Sequence, residues 1–484
     1  MTLDSVGGEA SRSLPWIALD KWATRLLNIA VLLVLGRLLD VSAIGLVALA
    51  QVFVSFASVF VDAGFSKALV QRRSLDAIHS STAFWASLTL SVVLAAAVVA
   101  ASPLIATLFS SPELTPVLSA LAGVLIINAF ASVPAALLER EFRFRELAIR
   151  RVSGAFAGGS AGLTVALLGF GVWSLVAQAL VTALVGAITI WVTSQWRPTA
   201  GLSANALKEL WAVGVGVLGI ELVGLLNSQS DRLLIGAFLS PEALGYYFMA
   251  MRLVSLVVEL FSSVFSTISL TSLSRLQDDR PAMLAWLYKL ASASCAVAVP
   301  IFAIAAIVAP GLFPLVIGEQ WVPSVLIFQV LCGLGALNSL AYFDRSVLLA
   351  VKRPGAAFGL TLGQSVLGVL LVLVAVQFGV FWVAVAVTAR QYLFWPIRLW
   401  FLRKYASVNG WQYFGRWLRP SLLSGLVIVA VLGSTALLPA VRENDFVYVV
   451  TTGAVSVLLL FAGTRYITPS TYADARDLLL RRRG

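Results

Sequence analysis

The chain has 484 residues, of which 60% are hydrophobic and only 12% are charged. Soluble domains are about 25% charged, so this composition and a mean hydropathy of +0.94 exclude an ordinary soluble protein and predict a membrane protein with many helices. The formal net charge of +11 does not indicate nucleic-acid binding, because most of the basic residues lie in the connections between apolar segments.

Apolar runs of spanning length recur along the whole chain. A spanning helix needs about 20 apolar residues. Such runs fall at 14–36, 42–64, 82–109, 114–138, 152–170, 172–193, 209–235, 243–270, 287–316, 322–343, 356–378, 380–400, 420–440 and 446–464. Basic residues concentrate in alternate connections, most densely between Arg140 and Arg151. Because cytoplasmic connections are rich in Lys and Arg, we predict that both termini are cytoplasmic.

Two regions of the chain repeat each other at a constant offset. Without a gap, Gly36 aligns with Gly236, Ala43 with Ala243 and Gly45 with Gly245, and FGVWSLVAQALV from Phe170 resembles FGVFWVAVAVTA from Phe378. The repeat predicts an all-α polytopic membrane protein with six-helix lobes at 1–198 and 199–405, and with two additional helices and a basic cytoplasmic tail at 406–484. Repeats with an even number of helices run in the same direction, so we expect the lobes to face each other across a central cleft.

Polar side chains on the predicted helices mark candidate cavity residues. A charge at a helix centre costs roughly 2.5–3.5 kcal/mol on insertion scales, so such a side chain usually faces a cavity or a partner. The candidate substrate-binding residues are Lys21, Arg25, Asn28, Gln51, Arg252, Ser255 and Arg390, and the candidate acids are Asp62, Glu221 and Glu259. The alternatives are one buried pair between Arg252 and Glu259, and extension of Lys21 and Arg25 to the headgroups.

Other motifs are interpreted as structural. Gly154, Gly158 and Gly162 have the spacing of closely packed helix pairs, and the prolines of the ninth and twelfth helices should kink or end them. Asn128 and Asn338 are interpreted as interhelical hydrogen-bond partners, Asp344 and Arg345 as an interfacial ion pair, and His79 as a solvated loop residue. We find neither a metal-ligand spacing nor a nucleophile with a nearby base, so neither a metal nor an enzyme activity is predicted.

Several runs carry a family resemblance. The chain resembles the Wzx-type polysaccharide flippases, especially the colanic-acid-exporter-like branch, in VSAIGLVALAQVFVSFASVFVDAGFSKALVQRR, LEREFRFRELAIRR, GFGVWSLVAQALV and SDRLLIGAFLSPEALGYY. The resemblance implies the superfamily of the MATE drug exporters and the MurJ-type lipid II flippases, the MOP superfamily, with a V-shaped pseudo-twofold pair of lobes in the bacterial inner membrane. It also implies that basic residues of helices one and eight face the cavity, here Lys21 or Arg25, and Arg252.

The expected function is therefore transport by alternating access of an oligosaccharide linked to undecaprenyl pyrophosphate, for exopolysaccharide or lipopolysaccharide biosynthesis. Membrane lipids and the glycan polymerase and export machinery are the expected partners, and no nucleic acid or cofactor is expected. The membrane potential supplies about 2.3 kcal/mol per charge per 100 mV, and H⁺ or Na⁺ binding at Asp62, Glu221 or Glu259 is the other driving force considered. The alternatives are a cation-coupled drug exporter, a membrane glycan polymerase or ligase, and a scaffold.

Overall fold

The computed structural model describes residues 22–61, 69–70, 76–276, 279–437 and 443–466. Its helices are α1 (22–38), α2 (Val41–Val61), α3 (Ala77–Leu108), α4 (Leu114–Arg140), α5 (Phe144–Leu167), α6 (Trp173–Thr193), α7 (Ala204–Phe238), α8 (Pro241–Arg275), α9 (Arg280–Val316), α10 (Pro323–Ala350), α11 (Pro354–Ala375), α12 (Val380–Leu393), α13 (Trp395–Ala406), α14 (Gly410–Leu437) and α15 (Asp445–Tyr466). Each predicted apolar run overlaps one of these helices, and 380–400 overlaps both α12 and α13.

The helices have the length and composition of membrane spans. Within the described residues, 10 helical segments are long and apolar enough to cross a bilayer. The chain is therefore a multi-pass membrane protein, as its composition predicts. Two helices begin well before the apolar runs that predicted them: α5 begins at Phe144 rather than at residue 152, and α14 begins at Gly410 rather than at residue 420.

The chain divides into two compact units, Met1–Gly245 and Tyr246–Gly484. In the first unit α5 packs along α6, α4 packs on α2 and α3, and α7 also packs on α2 and α3. In the second unit α9 is surrounded by α10, α14 and α15. The division into lobes 1–198 and 199–405 and an appendix 406–484 stays a prediction.

The repeated sequences form matching corners in the chain. Helix α1 ends at residue 38 and α2 begins at Val41, while α7 ends at Phe238 and α8 begins at Pro241. The two aligned glycines lie in contact within the first unit: a Cβ on Gly45 would lie 2.8 Å from the amide nitrogen of Gly245. Two helix backbones approach this closely only where side chains are missing, so glycine at both positions is required for α2 to pack on the first turn of α8.

The glycine spacing of α5 has the predicted packing role. A Cβ on Gly154 would lie 2.9 Å from the carbonyl oxygen of Thr182, and one on Gly162 would lie 2.9 Å from Cβ of Gln178. Gly158 faces the same surface of α6, where its added Cβ would lie 2.7 Å from the carbonyl oxygen of Gln178. The glycines therefore allow α5 and α6 to pack backbone against backbone.

Glycine and proline end helices where the repeat predicts connections. Gly171 precedes α6 with φ +52°, and Gly379 precedes α12 with φ +103°, both in the left-handed region that favours glycine. Pro396 lies in the first turn of α13, directly after the chain leaves α12 at Phe394. Pro300, Pro310 and Pro314 lie inside α9 and do not end it.

Candidate functional site

The first unit contains a polar pocket of about 530 Å³ among α1, α2, α4, α5 and α6. Its polar lining side chains are Thr24, Asn28, Gln51, Asn128, Arg150, Arg151, Gln178 and Thr182. The described residues that line it include two arginines and no carboxylate. Guanidinium and amide groups supply many hydrogen-bond donors and positive charge, so the pocket is suited to a negatively charged oxygen-rich group.

The arginines reach the pocket because α5 begins early. Arg150 lies six residues after Phe144, which places it about 9 Å along the helix axis from the start of α5. The stem of Arg150 lies against α6 at Gly186, where an added Cβ would lie 3.6 Å from Cγ and 3.7 Å from Nε of the arginine. The missing side chain at Gly186 therefore leaves room for Arg150 between α5 and the pocket.

The opposite walls supply neutral polar groups. Thr24 and Asn28 are four residues apart and so share one face of α1. On α6, the hydroxyl of Thr182 donates a hydrogen bond to the carbonyl oxygen of Gln178 at 2.7 Å. The threonine hydroxyl thus uses its proton within the helix, and the amide groups of Asn28, Gln51, Asn128 and Gln178 are neutral donors of the pocket.

Two predicted substrate-binding residues line this pocket. Asn28 is half-buried and Gln51 is exposed, and the structure brings both to the same opening. Arg25 is half-buried on α1 but is not among the residues that line the pocket. Lys21 and Asp62 lie outside the described residues.

The other predicted cavity residues are divided between the units. Glu221 is half-buried on α7 in the first unit. Arg252, Ser255 and Glu259 are half-buried on α8 in the second unit. Their convergence on one central cleft with α1 stays a prediction.

Arg390 lies in the second unit and is only 9% exposed. Its aliphatic side-chain atoms contact α11 at Gly368, where an added Cβ would lie 2.6 Å from Cδ of the arginine. Arg390 is therefore enclosed between α11 and α12, and it is not a lining residue of the polar pocket.

Next to Arg390, a polar network connects four helices of the second unit. Arg398 donates to Asp344 at 3.1 Å and to Oε1 of Gln364 at 2.8 Å. Gln364 donates to Gln391, whose own amide donates to Asn338 at 2.8 Å. The interhelical role predicted for Asn338 is confirmed. The interfacial position predicted for Asp344 was wrong, because α10 continues to Ala350 and buries Asp344, which pairs with Arg398. The side chain of Arg345 lies outside the described part of the chain.

His79 corrects the prediction of a solvated loop residue. It lies in the first turn of α3, only 8% exposed, with Nε2 3.7 Å from a carboxylate oxygen of Glu209 on α7. The prediction was wrong because α3 begins at Ala77, before the apolar run that defined the third helix. The turns added at the start of the helix pack His79 against α7.

The sequence interpretation missed Arg150 and Arg151 as pocket residues. Their position in a dense basic run indicated a cytoplasmic connection, whereas both lie inside α5. The available signal was spacing: Arg150 precedes Gly154 and Gly158 at steps of four, on the stripe that packs against α6. Asn128, interpreted as a hydrogen-bond partner between helices, lines the same pocket.

Comparison with known proteins places the chain among proteins of polysaccharide assembly. A family model described as polysaccharide biosynthesis protein matches residues 34–326. The teichuronic acid biosynthesis protein TuaB of Bacillus subtilis is 24% identical over 96% of each chain. The succinoglycan biosynthesis transport protein ExoT of Rhizobium meliloti is 28% identical, over 56% of this chain and 55% of its own length.

A solved structure shares the fold. The lipid II flippase MurJ, in an inward closed conformation, superposes with a TM-score of 0.76 at 12% sequence identity, covering 93% of this chain and 98% of its own. The MurJ-like helical fold expected from the family resemblance is confirmed.

Proposed function

Because the chain belongs to the family of polysaccharide biosynthesis proteins, we propose that it carries a lipid-linked oligosaccharide across the membrane. The observation that supports this assignment most directly is the pocket with Arg150, Arg151 and neutral amides inside a membrane protein. An oligosaccharide attached to undecaprenyl pyrophosphate combines an anionic linkage with many hydroxyl groups. The arginines of the pocket can bind the anionic linkage, and its amide groups can hydrogen-bond to the sugar hydroxyls.

The pyrophosphate linkage binds to the two arginines. A guanidinium group holds two phosphate oxygens at once, and its attraction for an anion is stronger in a pocket of low dielectric constant than in water. Asn28, Asn128 and Gln178 donate hydrogen bonds to the remaining oxygens or to the first sugar. These side chains come from α1, α4 and α6, so a bound headgroup would be contacted from several sides.

The direction of transport follows from the membrane topology that the basic connections predict. Both termini lie in the cytoplasm and the protein lies in the bacterial inner membrane, so Arg150 and Arg151 stand near the cytoplasmic end of α5. Substrate binds from the cytoplasmic leaflet and is released to the outer leaflet by alternating access. An inside-negative potential favours expulsion of the anion by about 2.3 kcal/mol per charge per 100 mV. The glycan polymerase and export machinery then take the product.

The charge of the pocket argues against the drug-exporter alternative. Cationic compounds are usually held by carboxylates, whereas the described residues that line this pocket include arginines and no acid. Positive charges on ligand and pocket would repel each other. The pocket therefore favours an anionic substrate.

The test is the double variant Arg150→Ala and Arg151→Ala, expressed in a strain that lacks its own flippase. Hydrogen bonds to charged groups contribute about 1.5–3 kcal/mol each, so we expect substrate affinity to fall at least about tenfold per arginine. Polymer yield should fall, and lipid-linked oligosaccharide should accumulate in the cytoplasmic leaflet. Lysine at both positions keeps the charge and should restore part of the transport.

The matched control is Arg37→Ala, which removes an exposed arginine of α1 in the same unit. It should support normal polymer yield at equal membrane levels of protein. Normal yield with the double alanine variant would contradict the proposed function of the pocket.

A further inference from the structure

Beside the polar pocket lies an apolar groove of about 400 Å³ between α1 and α5. Ala23 and Leu27 of α1 line one side, and Ile149, Val152 and Phe156 of α5 line the other. Ser153 also borders the groove, but its hydroxyl donates to the carbonyl oxygen of Arg150 at 3.2 Å and lies 3.2 Å from the hydroxyl of Thr189. Among the described residues that line the groove, the one hydroxyl is therefore engaged within the protein.

The same two helices line both the groove and the polar pocket. On α1, Thr24 and Asn28 face the pocket while their neighbours Ala23 and Leu27 face the groove. On α5, Arg150, Arg151 and Ala155 line the pocket, and Ile149, Val152 and Phe156 line the groove. Consecutive residues of a helix are about 100° apart, so one pair of helices presents an apolar surface to the groove and a polar surface to the pocket.

A tight contact between the helices lies at one end of the groove. An added Cβ on Gly159 would lie 2.6 Å from Cγ2 of Val31, which is one turn beyond Leu27. From this contact toward Ala23, the surfaces of α1 and α5 leave the space of the groove. Phe156, at the groove, is 63% exposed.

We propose that this groove binds the isoprenoid chain of the substrate whose pyrophosphate occupies the pocket, so that the lipid enters between α1 and α5. The inference rests on the proposed function. An amphiphile needs an apolar path that ends beside its headgroup site, because its chain stays in hydrocarbon while its charges leave the headgroup region. Here Ile149 lines the groove and the next residue, Arg150, lines the pocket, so the apolar site and the cationic site are adjacent on α5.

Photo-crosslinking tests where the chain lies. A photoreactive benzoylphenylalanine replaces Phe156 in the full-length protein, reconstituted in phospholipid vesicles that contain undecaprenyl pyrophosphate. The matched control places the same residue at Leu184 of α6, a side chain that is 49% exposed and lines neither opening. Undecaprenyl pyrophosphate should be captured several-fold more at 156 than at 184, and an excess of inorganic pyrophosphate should reduce the capture at 156 alone.

Three outcomes would overturn the inference. The first is equal capture of undecaprenyl pyrophosphate at both positions. The second is capture at 156 of phospholipid and isoprenoid in their vesicle proportions, which would indicate a surface covered by ordinary lipid. The third is capture at 156 that an excess of inorganic pyrophosphate does not reduce, which would exclude coupling between the groove and the pocket.

Filling the groove separates this inference from the proposed function. Ala23→Trp places a large side chain at a half-buried position of the groove, on the helix opposite both arginines. Transport should therefore fall while binding of inorganic pyrophosphate stays unchanged, and Leu184→Trp should alter neither. Normal transport with Ala23→Trp would refute the groove inference and leave the proposed function standing. Normal transport with the double arginine variant would refute the proposed function itself.

Discussion

Asp344 of α10 and Arg398 of α13 form an ion pair, with 3.1 Å between Oδ2 and Nη1 and side chains that are 4% and 12% exposed. The hydroxyl of Tyr413 on α14 donates to the second carboxylate oxygen at 2.8 Å. Helix α13 follows the break at Phe394, so the pair ties the chain beyond that break to α10 and α14. We assign this cluster a structural role in the second unit.

Removal of the cation should destabilise the second unit. Arg398→Met leaves the buried carboxylate of Asp344 without its charged partner, which typically costs about 3–5 kcal/mol. The expected result is a lower unfolding temperature in detergent, together with a lower yield of folded protein. The matched control is Arg403→Met, an exposed arginine of the same helix.

A double variant separates the pair from the surrounding packing. With Asp344→Leu and Arg398→Met together, neither charge of the pair remains, so most of the lost stability should return. Equal unfolding temperatures for Arg398→Met and Arg403→Met would contradict the structural role.

Gly45→Ala should disrupt the packing of α2 on the start of α8. The added methyl group would lie 2.8 Å from the backbone nitrogen of Gly245, and backbone atoms cannot move aside as a flexible side chain can. Overpacking of this kind costs about 1–3 kcal/mol or more. Gel filtration and thermal unfolding should show less folded protein and a lower midpoint.

The control for this change is Gly219→Ala on α7, where an added Cβ would meet no atom within 4 Å. Alanine favours a helix by up to about 1 kcal/mol over glycine, so this variant should be as stable as the parent or more so. Equal loss of stability in both variants would show that the glycine contact is unimportant.

Substitutions at Gly186 should separate folding from substrate binding. Alanine there would meet the stem of Arg150 at 3.6 Å, an ordinary contact distance, so transport and folding should both persist. Leucine is too large for that space and would displace Arg150, so transport should fall while membrane levels of the protein stay near normal. Val192→Leu, at an exposed position of the same helix, is the control.

Transport by the Gly186 variants is measured as polymer yield, and their anion affinity is measured as binding of inorganic pyrophosphate to the purified protein. Pyrophosphate affinity should decrease for Gly186→Leu and remain unchanged for the alanine variant. An unchanged affinity with leucine would place the anion site away from Arg150.

Cysteine labelling tests the predicted topology. The two natural cysteines, Cys295 and Cys332, are free and buried, so they should react little with a membrane-impermeant maleimide. In spheroplasts, Glu113→Cys between α3 and α4 should be labelled from outside, and Lys352→Cys between α10 and α11 only after permeabilisation. Both positions are exposed. The reverse pattern would place the termini outside and reverse the transport direction that we propose.

The sequence predicts the helices well because apolar length is a strong signal, and it predicts the corner at Gly45 and Gly245 because the repeat preserves it. It fails at Arg150, Arg151 and His79 for one physical reason. Polar residues at the ends of long helices resemble connections, and only tertiary packing shows that α5 and α3 extend through them.

Side-chain partners were less predictable than helices. The network from Asp344 to Arg398 joins residues that are far apart in sequence and have no repeat to align them, so neither spacing nor composition indicates the pair. Asn28 and Gln51 were found because polar residues at helical steps mark one face of an apolar helix. The pocket that they share with Arg150 depends on how α1, α2 and α5 pack together.

The matching corners after residues 38 and 238 constrain how this chain can change in length. Gly45 lies four residues after the start of α2 at Val41, and Gly245 lies four residues after the start of α8 at Pro241. Each glycine must face the other helix. One inserted residue before either glycine would turn it by about 100° and replace it at the contact with a bulkier neighbour. Insertions and deletions should therefore be excluded from both segments and tolerated in the connections elsewhere.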